Sequence, residues 1–253
     1  MKLLLDEGFQ FGLGVFETIA VEDGQPVLLN WHLERLNHSM KELGIPRSIS
    51  PADFTLCLTQ HLESNGISTD LLPHHAVKLM VSEHNTVLTI RPNPYTEESR
   101  RKGFQLGYSK VRRNETSPLT RHKTLNYGDN ILEKRAAASC GLDDLIFLNS
   151  REEICEGSVS NIFFVSKGRI YTPPVFCGLL PGIMRRFVLQ HAEVTEIVLT
   201  RASVDEMQEC FVTNSLMGIM PVRRLGSKLF DETGTALKLQ RLVLEQVKTE
   251  QQI

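Results

Sequence analysis

The sequence predicts a protein of mixed α and β structure in two domains, and two observations carry that prediction. Apolar residues recur with period 2 in some stretches and at helical spacing in others, and the two kinds interleave along the whole chain. The segment Arg91-Pro92-Asn93-Pro94-Tyr95 places two prolines where they stiffen the backbone and stop ladder pairing. The division is therefore set near residue 95, giving domains 1–95 and 96–253, and 253 residues suffice for a core in each.

In the first domain, Phe9-Gln10-Phe11-Gly12-Leu13-Gly14 leads into a strand through Ile19, Ala20 and Val21. Its glycines allow a tight turn or a close approach of the backbone to a ligand. Glu22-Asp23-Gly24-Gln25 is a hairpin signal with a return strand over 26–29. A helix opens at His32-Leu33-Glu34-Arg35-Leu36, with Leu33, Leu36, Met40 and Leu43 on one face, and Gly44-Ile45-Pro46 ends it. Arg35 lies beside the apolar face and can reach inward. Ser50-Pro51-Ala52-Asp53 caps a second helix carrying Phe54, Leu56, Leu58 and Leu62. Residues 76–82 and 86–90 predict two strands of one sheet.

In the second domain, a charged helical piece precedes a strand over 104–111. Lys123 opens the run Lys123-Thr124-Leu125-Asn126-Tyr127, and Ile131, Leu132, Arg135, Ala136 and Ser139 continue at helical spacing until Gly141. Residues 144–148 predict a buried strand and 149–152 a polar turn. Glu156-Gly157-Ser158-Val159-Ser160-Asn161 then sets a carboxylate in a turn of small residues, before a strand over 162–165. Ser166-Lys167-Gly168 turns the chain into a strand over 169–172. Gly178-Leu179-Leu180-Pro181-Gly182-Ile183-Met184-Arg185 has the form of a loop feeding a helix, whose unpaired amides and positive dipole end suit a dianionic phosphate. Ser203 with Glu206 predicts a capping box, and 210–213 a strand. That strand ends in Thr213-Asn214-Ser215-Leu216-Met217, where Asn214 and Ser215 can reach a phosphate or a substrate. Residues 234–251 close the chain as a helix packed through Leu237, Leu242, Leu244 and Val247.

Composition narrows the function classes. The formal charge is −2 and no basic block occurs, which argues against nucleic acid or a membrane surface as the main partner. No apolar run reaches membrane-spanning length, and Asp6 and Glu7 interrupt the opening Leu3-Leu4-Leu5 before a signal-peptide core forms, so a cytoplasmic location is expected. Five scattered cysteines with no Cys-x-x-Cys pair indicate reduced thiols, and the eight histidines show no metal-ligand spacing.

A lysine followed by a carboxylate among small hydroxyls is the chemistry of pyridoxal phosphate: a Schiff-base amine, a partner for the ring nitrogen and ligands for the phosphate. Glu156 follows Lys123 by 33 residues, and both segments, in order, resemble the fold-type IV pyridoxal-phosphate enzymes. The resemblance runs from Phe9 to Val222. It implies an α+β fold with a small N-terminal α/β domain, a larger mixed β-barrel-like C-terminal domain with helices, and a homodimer. It further implies Lys123 as Schiff-base lysine and general base, and Glu156 at the ring nitrogen. The phosphate falls to Arg35, whose planar guanidinium can grip two oxygens, to the amides of Ile183 and Met184, and to Ser215. Ser160, Asn161 and Asn214 complete the cofactor set.

Within that family, Asn214-Ser215-Leu216-Met217 resembles the aminodeoxychorismate lyases, where the transaminases usually carry Thr-Gly-Thr-Ala or Thr-Ser-Thr. No Arg-x-His pair of the D-amino-acid transaminase kind occurs near 82–87. The first expectation is thus a lyase converting 4-amino-4-deoxychorismate to 4-aminobenzoate and pyruvate. A class IV aminotransferase for D-amino or branched-chain amino acids, and a non-catalytic dimeric protein that binds pyridoxal phosphate, remain as alternatives. Leu13 stands where the family commonly has Asp, Met184 where it often has threonine, and a first hairpin present in most relatives is expected to be missing.

Overall fold

Val15, Glu17, Ile19 and Val21 alternate with Phe16, Thr18 and Ala20, so strand β1 (Val15–Glu22) presents two unlike faces. The computed structural model describes residues 3–67 and 72–250. It divides into two compact units: Met1–Pro94 with His122–Tyr127 and Gln246–Ile253, and Tyr95–Arg121 with Gly128–Glu245. The first cut falls between Pro94 and Tyr95. Residues 122–127, however, return to the first unit, so Lys123 lies outside the part to which a single cut near 95 would assign it.

The first unit is built on an antiparallel sheet ordered β2 (Gln25–Pro26), β1, β3 (His74–Val81) and β4 (Thr86–Pro92). Its helices are α1 (Glu7–Phe11), α2 (Leu29–Glu42) and α3 (Pro51–Ser64). Val15, Ile19 and Val21 of β1 and Val77, Leu79 and Val81 of β3 pack with Leu33, Leu36 and Met40 of α2 and Phe54, Leu58 and Leu62 of α3. Each such side chain contributes about 1.5–3 kcal/mol on burial. Ser50 and Asp53 form the expected capping box of α3. The return strand expected over 26–29 is cut to two residues, because Leu28 takes a left-handed conformation (φ 53°) and turns the chain into α2 at Leu29, before His32. The five-residue helix α1 was not legible in the sequence; Asp6 caps it by accepting from the amide of Phe9.

The second unit carries a nine-stranded mixed sheet. Its strands are β5 (Phe104–Arg113), β6 (Asp144–Asn149), β7 (Ile154–Gly157), β8 (Asn161–Ser166), β9 (Arg169–Thr172), β10 (Val194–Glu196), β11 (Glu209–Asn214), β12 (Gly218–Leu225) and β13 (Lys228–Leu229). Their order is β10-β9-β8-β11-β12-β5-β6-β7, with β13 on β12. The β5–β6 pair is parallel and is joined through α5 (Gly128–Ser139), the crossover that a parallel pair requires. The other helices are α4 (Glu97–Lys102), α6 (Ile183–His191), α7 (Arg201–Val204) and α8 (Gly234–Glu250). Leu106, Ile146, Leu148, Ile162, Phe164, Val212, Met220 and Val222 are among the buried core.

Two local expectations are corrected here. Thr200, not Ser203, caps α7, and Ser203 instead fills the third helical position of the capping box. The helix starts at Gly234 as expected, but the buried residues of α8 include Ala236, Leu239 and Val243, while Leu237 and Leu244 are exposed, so a neighbouring face is turned inward. Gln251 lies outside the described residues. No described helix is long and apolar enough to cross a membrane.

Candidate active site

In the first unit, the segment carrying Lys123 is fixed by backbone pairing to the start of β1. Phe16 N donates to Lys123 O at 2.8 Å, Leu125 N donates to Gly14 O at 2.8 Å, and Thr124 bridges Val15. A Cβ at Gly14 would come within 2.6 Å of Leu125 Cδ1 and 2.9 Å of Val81 O. The glycines thus admit another part of the chain, not only a ligand. The amine of Lys123 lies over the ring of Phe16 (4.5 Å to the centroid) and near that of Tyr127 (5.0 Å), and these two rings meet edge to face at 5.0 Å.

On the opposite face of β1, Glu17 is 1% exposed. It accepts from Arg35 Nε at 2.8 Å and Nη2 at 2.6 Å, and contacts His32 Nδ1 at 2.7 Å. His32 and Arg35 reach it together because they are three residues apart on α2. Burial opposes the charge on Glu17, yet Arg35 and His32 outweigh it and bring the carboxyl down to about 2. Burial also lowers the pKa of His32.

In the second unit, Glu156 stands inside strand β7, one residue before its end at Gly157, instead of in an open turn. Oε1 accepts from Arg113 Nη2 at 3.0 Å, and Oε2 from the amide of Leu180 at 3.1 Å and from Asn161 Nδ2 at 3.4 Å. Arg113 also lies 4.1 Å over the ring of Phe147 and bonds Asn130. Asn161 donates to Leu180 O as well, at 2.8 Å, and so ties the carboxylate to the loop that feeds α6. Gly182 caps α6 without a side chain over its first amides, and a Cβ there would strike Asn161 Oδ1.

The turn after Glu156 is organised by a carboxylate that the sequence did not single out. Asp144, fully buried, accepts from the hydroxyls of Ser158 and Ser160 and from the amide of Ser158 at 3.0 Å. Ser160 therefore bonds within the protein. Asn214 does likewise: Oδ1 accepts from the amides of Leu216 and Met217, both at 2.9 Å, and Nδ2 donates to Val159 O at 3.2 Å. Ser215 heads the turn between β11 and β12, half-buried. Met184 is 2% exposed, packing its side chain away while its backbone stays in the first turn of α6. Ile183 and Met184 are thus together with Glu156 and Asn161 through the 180–182 loop, and Arg35 shares the first unit with Lys123.

Glu17, His32, Arg113 and Asp144 escaped the sequence reading. A signal existed for Glu17, an acid on the core-facing side of an apolar strand with His and Arg at helical spacing shortly after. For Arg113 and Asp144 the pairing is across strands distant in sequence, and no local pattern marks it.

The family model for amino-transferase class IV matches residues 14–225. The aminodeoxychorismate lyase of Bacillus subtilis is 31% identical over 241 residues, covering 87% of this chain and 80% of that protein. The D-alanine aminotransferase of Bacillus licheniformis is 28% identical over 230 residues, covering 86% and 80%. The crystal structure of 4-amino-4-deoxychorismate lyase from Pseudomonas aeruginosa superposes with a TM-score of 0.81 at 27% identity, covering 97% of this chain and 95% of that one. Fold and relatives define a pyridoxal-phosphate-dependent enzyme of fold type IV. The chain belongs to the class IV aminotransferase family.

The residues present fit that cofactor. A buried carboxylate stands with its counter-charge, α6 begins with uncovered amides beside it, and the buried hydroxyl of Thr213 has no protein partner among the described residues. Each suits a part of pyridoxal phosphate: ring nitrogen, phosphate and a further polar edge.

Proposed function

We propose that the protein is a 4-amino-4-deoxychorismate lyase, releasing 4-aminobenzoate and pyruvate. The observation that carries this reading is the string Asn214-Ser215-Leu216-Met217 at the β11–β12 turn, where Asn214 accepts from the amides of Leu216 and Met217 and a buried apolar pair stands where the transaminase strings carry small residues. Two of the relatives reported above are aminodeoxychorismate lyases, which supports it further.

In this reading Lys123 would hold the cofactor covalently, Glu156 would serve its ring nitrogen, and Arg35, the amides of Ile183 and Met184, and Ser215 would hold the phosphate. When bound, pyridoxal phosphate supplies a ring that draws electrons from the substrate carbon bearing nitrogen. Lys123, its amine freed when the substrate amine takes its place, would remove the proton from that carbon, the electron pair released would expel the enolpyruvyl oxygen from the neighbouring ring carbon, and the enol would gain a proton to become pyruvate. No water is consumed, and the driving force is the aromatic ring formed. Arg113, paired with Glu156 at 3.0 Å, would hold that carboxylate in place for the ring nitrogen. Asn161 and Ser160 hold the loop and turn around it, and Asn214 fixes the turn that carries Ser215. We further propose a homodimer, supported by the exposed Phe9 and Phe11 of α1 and by exposed Leu3, Leu4 and Leu5 before it.

The test mixes cofactor-loaded protein with 4-amino-4-deoxychorismate and, separately, with D- or L-amino acids and a keto acid. Equal yields of 4-aminobenzoate and pyruvate establish the lyase; amino-group exchange without them makes the protein a transaminase. Light scattering of the eluted protein decides the oligomeric state.

A further inference from the structure

We infer that Glu17 is a positioning residue for cofactor binding: it never touches pyridoxal phosphate but holds the guanidinium of Arg35 in the orientation that grips the phosphate. The inference rests on the proposed role of Arg35. Glu17 sits on the side of β1 that faces the core with Val15, Ile19 and Val21, where an acid without a partner would not be tolerated. Its two oxygens receive Nε and Nη2 of Arg35 in a fork, at 2.8 and 2.6 Å.

The fork fixes the plane of the guanidinium as well as its place. Arginine has four rotatable side-chain bonds, and the freedom they carry is given up on folding instead of on ligand binding. Arg35 is 11% exposed at its side chain, and Nε and Nη2 of its guanidinium are committed to Glu17. The negative charge of Glu17 would by itself repel a phosphate. Both of its oxygens are turned to Arg35 and His32, however, so the charge is compensated where it stands. His32 contacts the carboxylate through Nδ1 at 2.7 Å and holds it from the other side.

A residue that acts through the phosphate-binding arginine affects ligands only through their phosphate. The full-length protein, stripped of cofactor, is titrated with pyridoxal phosphate and with pyridoxal, which lacks the phosphate. Quenching of Trp31, the single tryptophan, which adjoins His32 on α2, gives the readout. Glu17→Gln is expected to weaken pyridoxal phosphate at least about tenfold and to leave pyridoxal unchanged. Glu17→Asp, which keeps the charge but withdraws it by one methylene, is expected to fall between. In an Arg35→Met background, Glu17→Gln is expected to add nothing. Equal weakening of both ligands, or unchanged affinity for pyridoxal phosphate, overturns the inference and leaves Glu17 as a core ion-pair partner. If Arg35→Met itself does not alter the preference for the phosphorylated ligand, the reading of Arg35 fails instead, and the inference falls with it.

Discussion

Arg113 and Glu156 face each other from strands β5 and β7 with 3.0 Å between Nη2 and Oε1, and both side chains are largely removed from solvent. Removing the cation while leaving the anion is the costly way to break such a pair. Arg113→Met is expected to lose about 3 kcal/mol of stability in urea unfolding and to slow turnover, whereas Glu156→Gln should slow turnover with a smaller loss of stability. Equal stability losses in the two variants would show that the pair is not buried in the sense required.

Lys123→Ala is expected to abolish turnover and the fixation of pyridoxal phosphate to the protein by borohydride, read as the missing mass increment on the peptide containing residue 123. A retained increment would move the covalent site to another lysine, with Lys78, 4.3 Å from the Phe16 ring centroid, the first to examine.

Gly14→Ala places a methyl against Val81 O and Leu125, both of which belong to fixed backbone pairs or packing. The expected result is a stability loss of about 1–3 kcal/mol together with a lower yield of borohydride-fixed cofactor, since the Lys123 segment must move. Gly44→Ala, at a site with nothing within 4 Å of the added methyl but with φ 71°, should cost stability alone.

The carboxyl of Glu17 titrates at about 2 in the folded protein against 4.5 for the unreacted group. Folding is therefore stabilised by its charge above about pH 4.5, and that stabilisation is lost as the pH falls toward 2, because the unfolded chain takes up the proton first. It amounts to about 3 kcal/mol at most. The stability gap between the protein and Glu17→Gln should accordingly narrow as the pH falls from about 5 toward 2.

Burial pushes the thiol of Cys177 up to about 12 and that of Cys155 and Cys210 well upward, so none of the three offers thiolate at neutral pH. An aromatic disulfide reagent is expected to react at once with exposed Cys140 and slowly with half-buried Cys57. The remaining three should appear only in denaturant. Rapid reaction of a third thiol in the native protein would contradict this.

The helices of the first unit were legible because Leu33, Leu36 and Met40, and Phe54, Leu58 and Leu62, repeat at helical spacing and Ser50 announces a start. The strands of the second unit were legible where apolar runs are bounded by turns such as Ser166-Lys167-Gly168. What could not be read was everything decided by neighbours remote in the chain. The family resemblance puts Ser160 and Asn214 in the cofactor set, but no local pattern tells that Asp144 bonds the hydroxyl of Ser160 or that the amides of Leu216 and Met217 donate to Asn214. Glu156 was found through its spacing from Lys123, whereas the arginine that balances it, 43 residues earlier, had no sequence mark. Strand β10 has only three residues and was too short to show a period.

The pairing of residues 122–127 with β1 has a consequence for how the protein can be made. The first unit is discontinuous: its sheet and helices are complete by Pro94, but the segment bearing Lys123 is translated later. A nascent chain halted at residue 95 lacks the partners of Gly14 O and Phe16 N. Ribosomal synthesis must proceed past residue 127 before that part can close. For the same reason, a recombinant fragment cut at the proline boundary lacks two later segments that belong to its unit, residues 122–127 and the one that begins at Gln246.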